Sequence, residues 1–264
     1  MPSLNAADCA ALIEALTGIA ARAGQTILEL ADTAKARTKA DGSPVTAADE
    51  AAEAVICQAL QRLAPAVPIV SEECASRQAP KPIAHGSYFL IDPLDGTREF
   101  IAGRDEYTVN IALLTDGVPL LGVIGAPARA QMWRGVVGHG AERIGGLSPG
   151  EMRRIHVRPR PQSEPVIAVS RSHLDPRTQA YVDGFPGARL IRAGSSIKFC
   201  FLAEGSADLY PRLAPIRDWD VAAGHALLKA AGGEIAAPDA APLRYGTEQL
   251  LIPGFIASGR TITE

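Results

Sequence analysis

Residues 88–91, Tyr-Phe-Leu-Ile, run directly into Asp92-Pro93-Leu94-Asp95-Gly96-Thr97, an abrupt change from apolar residues to acids and turn formers. The apolar run reads as a strand. Pro93 restricts the backbone on both sides of itself, so the directions in which Asp92 and Asp95 leave the strand end are set. One reading is that both carboxylates aim at one locus. Gly96 then lets another group approach the backbone, and the amides after it open a short helix suited to a phosphate oxygen. The other reading is a plain turn, because Asp, Pro and Gly are the commonest turn residues.

Further acids fall at the ends of other elements. Asp49 lies three residues after Thr46 in the first turn of an expected helix, Glu72 and Glu73 follow the apolar stretch "VPIV", and Asp220 beside Trp219 opens "VAAGHALLKAAGG". Carboxylates gathered from strand ends and helix starts are what a hard cation such as magnesium requires. Each acid also has a local explanation. Asp49 can serve only as the capping partner of Thr46, Asp218 and Asp220 as favourable charges at a helix N-terminus, and Glu72 and Glu73 as the solvated face of a loop. Asp218, two residues before Asp220, competes with it for the metal role.

The chain has 264 residues, 47% of them hydrophobic, enough for a sizeable core in one large domain or two packed halves. A net charge of −3, with acids and bases mixed along the chain, excludes the long basic block of a binder of nucleic acid polymers. Four scattered cysteines without a CxxC pair argue for a reducing compartment. No stretch has the length of a membrane span or the order of a signal peptide, so a cytoplasmic protein is expected.

Apolar spacing predicts a long helix over 6–30 and a second one after Thr46. Strands are expected in "VPIVSEE", "YFLIDP", "YTVNIALLTDG", "VPLLGVIGAP" and "QMWRGVVGHGA", giving two helices against an antiparallel sheet. Three prolines in "PRPQSEP", 159–165, mark a boundary between an α+β half, 1–160, and an α/β half, 161–264. The second half alternates strand-like and helix-like pieces, among them "VIAVSRSH", "KFCFLAEG" and "ADLYPRL".

The segments "DGSPVTAAD" (41–49), "VSEE" (70–73), "DPLDGTREF" (92–100), "YTVNIALL" (107–114) and "WDVAAGHALLKAAGG" (219–233) resemble, in order and spacing, the motifs of the inositol monophosphatase superfamily of metal-dependent, lithium-sensitive phosphatases. Within it, "VSRSH", "GSSIKFC" and "LYPRLAP" are similar to the CysQ-type 3′(2′),5′-bisphosphate nucleotidases. The resemblance implies a layered αβαβα fold of the α/β (α+β) class, related to the sugar phosphatases. It also implies hydrolysis of adenosine 3′,5′-bisphosphate, a by-product of sulfur assimilation, to AMP and phosphate. By the same resemblance two or three Mg2+ ions bind at Glu72, Asp92, the Leu94 carbonyl, Asp95 and Asp220, and Asp49 with Thr97 orients the attacking water. Gly96 and Thr97 then hold the phosphate undergoing transfer, and His173, Ser195, Lys198 and Arg212 contact the rest of the nucleotide.

Taken singly, Lys198 and Arg212 also read as surface charges, His173 as a loop residue and Ser195 as a helix cap. An inositol-1-phosphate phosphatase and a non-catalytic nucleotide-binding protein are the alternatives. The partner is a small phosphate ester, and peripheral association with the inner face of a membrane is left open.

Overall fold

The computed structural model describes residues 6–32, 36–39, 42–77, 83, 85–145, 151–159, 161, 164–172 and 174–260. Helix α1 (Ala6–Leu30) and helix α2 (Ala47–Leu63) lead into strand β1 (Ile69–Ser71) and the short helix α3 (Glu72–Arg77). Strand β2 (Ser87–Asp95) is followed by helix α4 (Thr97–Ile101), then by β3 (Thr108–Thr115), β4 (Val118–Ala126), β5 (Gln131–Val136), β6 (Gly140–Ile144) and β7 (Met152–Ile155). These seven strands form one sheet in chain order. The edge strand β1 is parallel to β2, and the other neighbours are antiparallel.

The expected sheet with two helices on it is present, with three corrections: β1 runs parallel rather than antiparallel to β2, the strand expected in "VPIVSEE" gives way to α3 at Glu72, and the sheet is covered on both faces. Successive residues of a strand point to opposite faces. Phe89, Ile91, Ile111 and Val123 pack with α1 and α2 in one core, whereas Leu90, Ala112, Leu114 and Ile124 belong to a second core. That second core is completed by helix α6 (Ile197–Ala203) and helix α7 (Asp218–Ala230), which come from beyond the proline-rich segment. A strand buried on both faces has no polar alternation, which accounts for the unbroken run at 88–91.

A second sheet has five strands: β8 (Val166–Ser170), β9 (Arg189–Ala193), β10 (Leu209–Arg212), β11 (Glu234–Ala236) and β12 (Phe255–Ser258), in the order β9-β8-β10-β12-β11. One face shares the core with α6 and α7; the other packs Ile167, Val169 and Leu209 against Val182 of helix α5 (Pro176–Asp183). The layers are therefore helix, sheet, helix, sheet, helix, the αβαβα arrangement that the family resemblance implies.

The close approach of α7 to the first sheet depends on glycine. A Cβ on Gly122 of β4 would lie 2.4 Å from the carbonyl oxygen of Ala223, a backbone atom that cannot swing away. We therefore expect Gly122→Ala to destabilise the fold by about 1–3 kcal/mol, as overpacking does, and to lower the melting temperature by several degrees. Gly18→Ala in α1 is the control: its nearest neighbour would be a flexible arginine tip at 3.7 Å, so relief of helix-interior glycine should raise the melting temperature. Equal melting temperatures for wild type and Gly122→Ala would refute the packing argument.

Candidate active site

At the end of β2 the ladder to β3 slips between Asp92 and Asp95. Pro93 has no N–H to give the ladder, and Leu94 donates its N–H to Asp92 Oδ1 at 3.0 Å instead. The displaced acids meet Asp220 in the first turn of α7. One carboxylate oxygen from each of Asp92, Asp95 and Asp220 lies within 4.8 Å of the other two. The plain-turn reading does not hold at 92–95: the strand continues through Asp95, still paired with Thr108, and the irregularity in its ladder brings the carboxylates together.

Burial, followed by the charges of Glu72, Asp95 and Asp220, pushes the Asp92 carboxyl well above its ordinary range. Burial raises Asp95 to about 6 against the pull of Lys198, and Asp220 is raised by burial and then by Asp95 and Glu72. Three carboxylates that would all ionise in water are held where they resist ionising together. A set of oxygen donors short of positive charge fits a hard divalent cation. Asp218 does not share the position: it is fully buried, and its Oδ2 accepts the Gly246 N–H at 2.8 Å.

Glu72 lines the same cleft but stands outside the trio, with its Oε1 2.6 Å from Lys39 Nζ. The same ammonium holds Glu73 Oε1 at 2.7 Å, so the acid pair is not a solvated loop face. Burial works against the charge on Lys39, yet Glu72 and Glu73 raise its pKa above the ordinary value. Glu73 is pushed up to about 7 by burial, opposed by Lys39. Sequence reasoning missed Lys39, which lies in a short irregular segment with no periodic signal.

Asp49 caps α2, as one reading of the sequence has it, and also reaches Thr97. Its Oδ2 accepts from the Thr46 N–H at 2.8 Å and from Thr46 Oγ1 at 2.7 Å, completing a capping box at the start of α2. Its Oδ1 accepts from Thr97 Oγ1 at 3.1 Å. Thr97 Oγ1 also lies 3.3 Å from the Leu94 carbonyl oxygen, so the hydroxyl proton has two acceptors. Gly96, between the acids and Thr97, has φ +94°, and a Cβ there would lie 2.9 Å from the Glu106 carbonyl oxygen.

The remaining predicted residues come from the second sheet and α6. Lys198 is buried rather than a surface charge; its Nζ donates to the carbonyls of Ala193, at 3.2 Å, and Ser195, and sits 5.2 Å from the Tyr210 ring centre. Burial draws its pKa down to about 8, with Asp95 opposing. Arg212 on β10 has a buried Nε without an acceptor among the described residues. Ser195 is not the cap of α6, a position held by Ser196, and it adopts φ +47°. The cleft, about 310 Å³, is lined by the acids together with Ser195, Lys198 and Arg212. His173 lies outside the described residues.

The sequence model of the inositol monophosphatase family matches residues 8–262. The 3′(2′),5′-bisphosphate nucleotidase CysQ of Escherichia coli K12 is 40% identical over 252 residues, covering 94% of this chain and 99% of that protein. Its namesake in Salmonella typhimurium is 40% identical over 249 residues, covering 92% of this chain and 98% of that one. Among solved structures, CysQ from Bacteroides thetaiotaomicron superposes with a TM-score of 0.79 at 37% identity, over 96% of this chain and 98% of that chain. Inositol monophosphatase from Anabaena gives 0.74 at 27% identity, over 99% and 93%. With its sequence matched over residues 8–262 and its layers superposing on a solved relative along nearly its whole length, the chain belongs to the inositol monophosphatase family.

Proposed function

We propose that this protein is a magnesium-dependent 3′(2′),5′-bisphosphate nucleotidase that removes the 3′-phosphate of adenosine 3′,5′-bisphosphate, leaving AMP and phosphate. The observation that carries this reading is the pairing, in one cleft, of a cation-hungry carboxylate cluster with the buried donors of Lys198 and Arg212. A substrate with two phosphates calls for both. In this reading 1–160 and 161–264 are two halves that meet at the site.

Glu72, Asp92, the Leu94 carbonyl, Asp95 and Asp220 would hold two or three Mg2+ ions. Magnesium, when bound, supplies Lewis acidity to the phosphoryl oxygens and lowers the pKa of the attacking water. Thr97 Oγ1, donating its O–H to Asp49 Oδ1, keeps lone pairs free to accept a hydrogen bond from that water and so orients it. Asp49 cannot swing away, because Thr46 holds its other oxygen. The Gly96 and Thr97 amides hold the phosphate undergoing transfer. Ser195, Lys198, Arg212 and His173 take the second phosphate and its ribose.

The test is phosphate release from adenosine 3′,5′-bisphosphate and from inositol 1-phosphate, side by side in magnesium. The bisphosphate should be strongly preferred. Arg212→Ala should raise its KM about 10–100-fold, the loss of one charged hydrogen bond of roughly 1.5–3 kcal/mol, with inositol 1-phosphate turnover little changed. Release mainly from inositol 1-phosphate would keep the chemistry and discard the nucleotide. Binding of the bisphosphate without release would favour a non-catalytic binder.

A further inference from the structure

Glu106, just before β3, ties together the two turns that wall the cleft. Its side chain is buried between Arg171, the Gly194 amide and Arg129, whose Nη2 lies 3.8 Å from Oε1. Arg171, at the end of β8, donates to it from both prongs of its guanidinium, Nε to Oε2 at 2.7 Å and Nη2 to Oε1 at 2.6 Å. The Gly194 N–H donates to Oε2 at 2.9 Å. The backbone closes on the same point: a Cβ on either Gly96 or Gly194 would lie 2.9 Å from the Glu106 carbonyl oxygen. Both turns are seated on this one residue.

The turn beyond Gly194 needs such support. Ser195 sits at φ +47°, a left-handed conformation that costs a non-glycine residue about 1–2 kcal/mol. Its carbonyl accepts from Lys198 Nζ, so a shift of the turn also moves the ammonium. Arg171 reinforces the seat, because its own N–H donates to the Ala193 carbonyl at 3.1 Å and its Nη2 to the Arg192 carbonyl at 2.7 Å.

We propose that Glu106, locked by Arg171, is a positioning residue that sets the Gly194–Lys198 turn to receive the second phosphate of the substrate. The inference rests on the nucleotidase reading. Neither side chain needs to touch substrate: Glu106 acts through the Gly194 amide, and a carboxylate in direct contact would repel a phosphate. The hydrogen bonds of Arg171 hold the Glu106 carboxyl below the ordinary range against its burial, so it is ionised at neutral pH.

The experiment compares wild type, Glu106→Gln, Arg171→Gln and Arg171→Lys. The first two variants should raise the KM for adenosine 3′,5′-bisphosphate about 10-fold or more with kcat within about twofold, and Arg171→Lys should recover part of the loss. In parallel, AMP binding is measured by calorimetry in chelator, where the carboxylate end of the cleft repels phosphate. The AMP dissociation constant should rise by a similar factor, while that of adenosine stays constant. A merely structural role would lower the melting temperature and kcat without this split. An AMP affinity within twofold of wild type in both Gln variants, or no AMP binding by wild type, overturns the proposal. If Glu106→Gln does not fold, the partly exposed Arg171 variants decide alone. Wild type that binds AMP but does not hydrolyse the bisphosphate would defeat the nucleotidase reading, and the AMP comparison would still judge Glu106.

Discussion

Asp95→Asn is expected to reduce phosphate release in magnesium by about 10³-fold or more, while the cation-free variant melts no lower than wild type. The first effect follows from removing an oxygen ligand of the proposed cations, the main stabilisers of charge on the phosphoryl group. The second follows from the free protein, where Asp95 is raised to about 6 chiefly by burial and shares its locus with Asp92 and Asp220. A neutral amide of the same shape relieves that repulsion, and its oxygen can still accept from Asn110 Nδ2, which lies 3.4 Å from Asp95 Oδ2. Phosphate-release assays and thermal melts in chelator check both halves. Turnover near the wild-type rate would remove Asp95 from the reaction; a large drop in melting temperature would show that it supports the fold.

Magnesium should raise the melting temperature of wild type, and more at pH 8 than at pH 5. A carboxyl whose folded pKa is raised binds its proton more tightly in the native state than in the unfolded chain, where it titrates near 4. For Asp95 the native state therefore loses stability as pH rises from about 4 to about 6, and the loss is complete above that. A cation reverses the loss by pairing with the ionised carboxylates, whereas at low pH it must first displace their protons. At roughly 100–1,000 times its dissociation constant a ligand stabilises by about 3–4 kcal/mol, or roughly 6–15 °C for a chain of this size. Near pH 5 the gain should shrink to a degree or two. His225 moves oppositely: burial lowers its pKa to about 4, so its contribution is lost as pH falls from about 6.5. Comparing melts with and without magnesium at each pH cancels it. A gain independent of pH, or none, would refute the cluster as a cation site.

The local chemistry of this chain was readable where one segment determines the outcome. Helix α1 spans the residues its spacing indicates, Thr46 and Asp49 form their capping box, and the acids at 92, 95 and 220 lie at the ends of the expected strand and helix. Partnerships between distant segments were not readable. Lys39 meets Glu72 across 33 residues, and Arg171 meets Glu106 across 65, with no periodicity to announce either. Chain order assigned α7 to the second half, yet it covers the first sheet, because a sheet with two apolar faces needs a second layer wherever it comes from. The apolar "IKFCFLA" is as compatible with a buried strand as with the helix it forms. Helix α5 was overlooked despite a clear start signal, Asp175 as cap followed by Pro176.

The position of α7 has a consequence for how the protein is made. A ribosome delivers α1, α2 and all seven strands of the first sheet before residue 218 emerges, so one apolar face of that sheet stays bare for about sixty further residues. Exposed apolar surface of this kind is prone to aggregation until it is covered. Asp220 arrives on the helix that finally covers the face, so the acid cluster is completed only when the sheet is sealed. Chains that stop short of α7 therefore lack both the cover of that face and the third carboxylate.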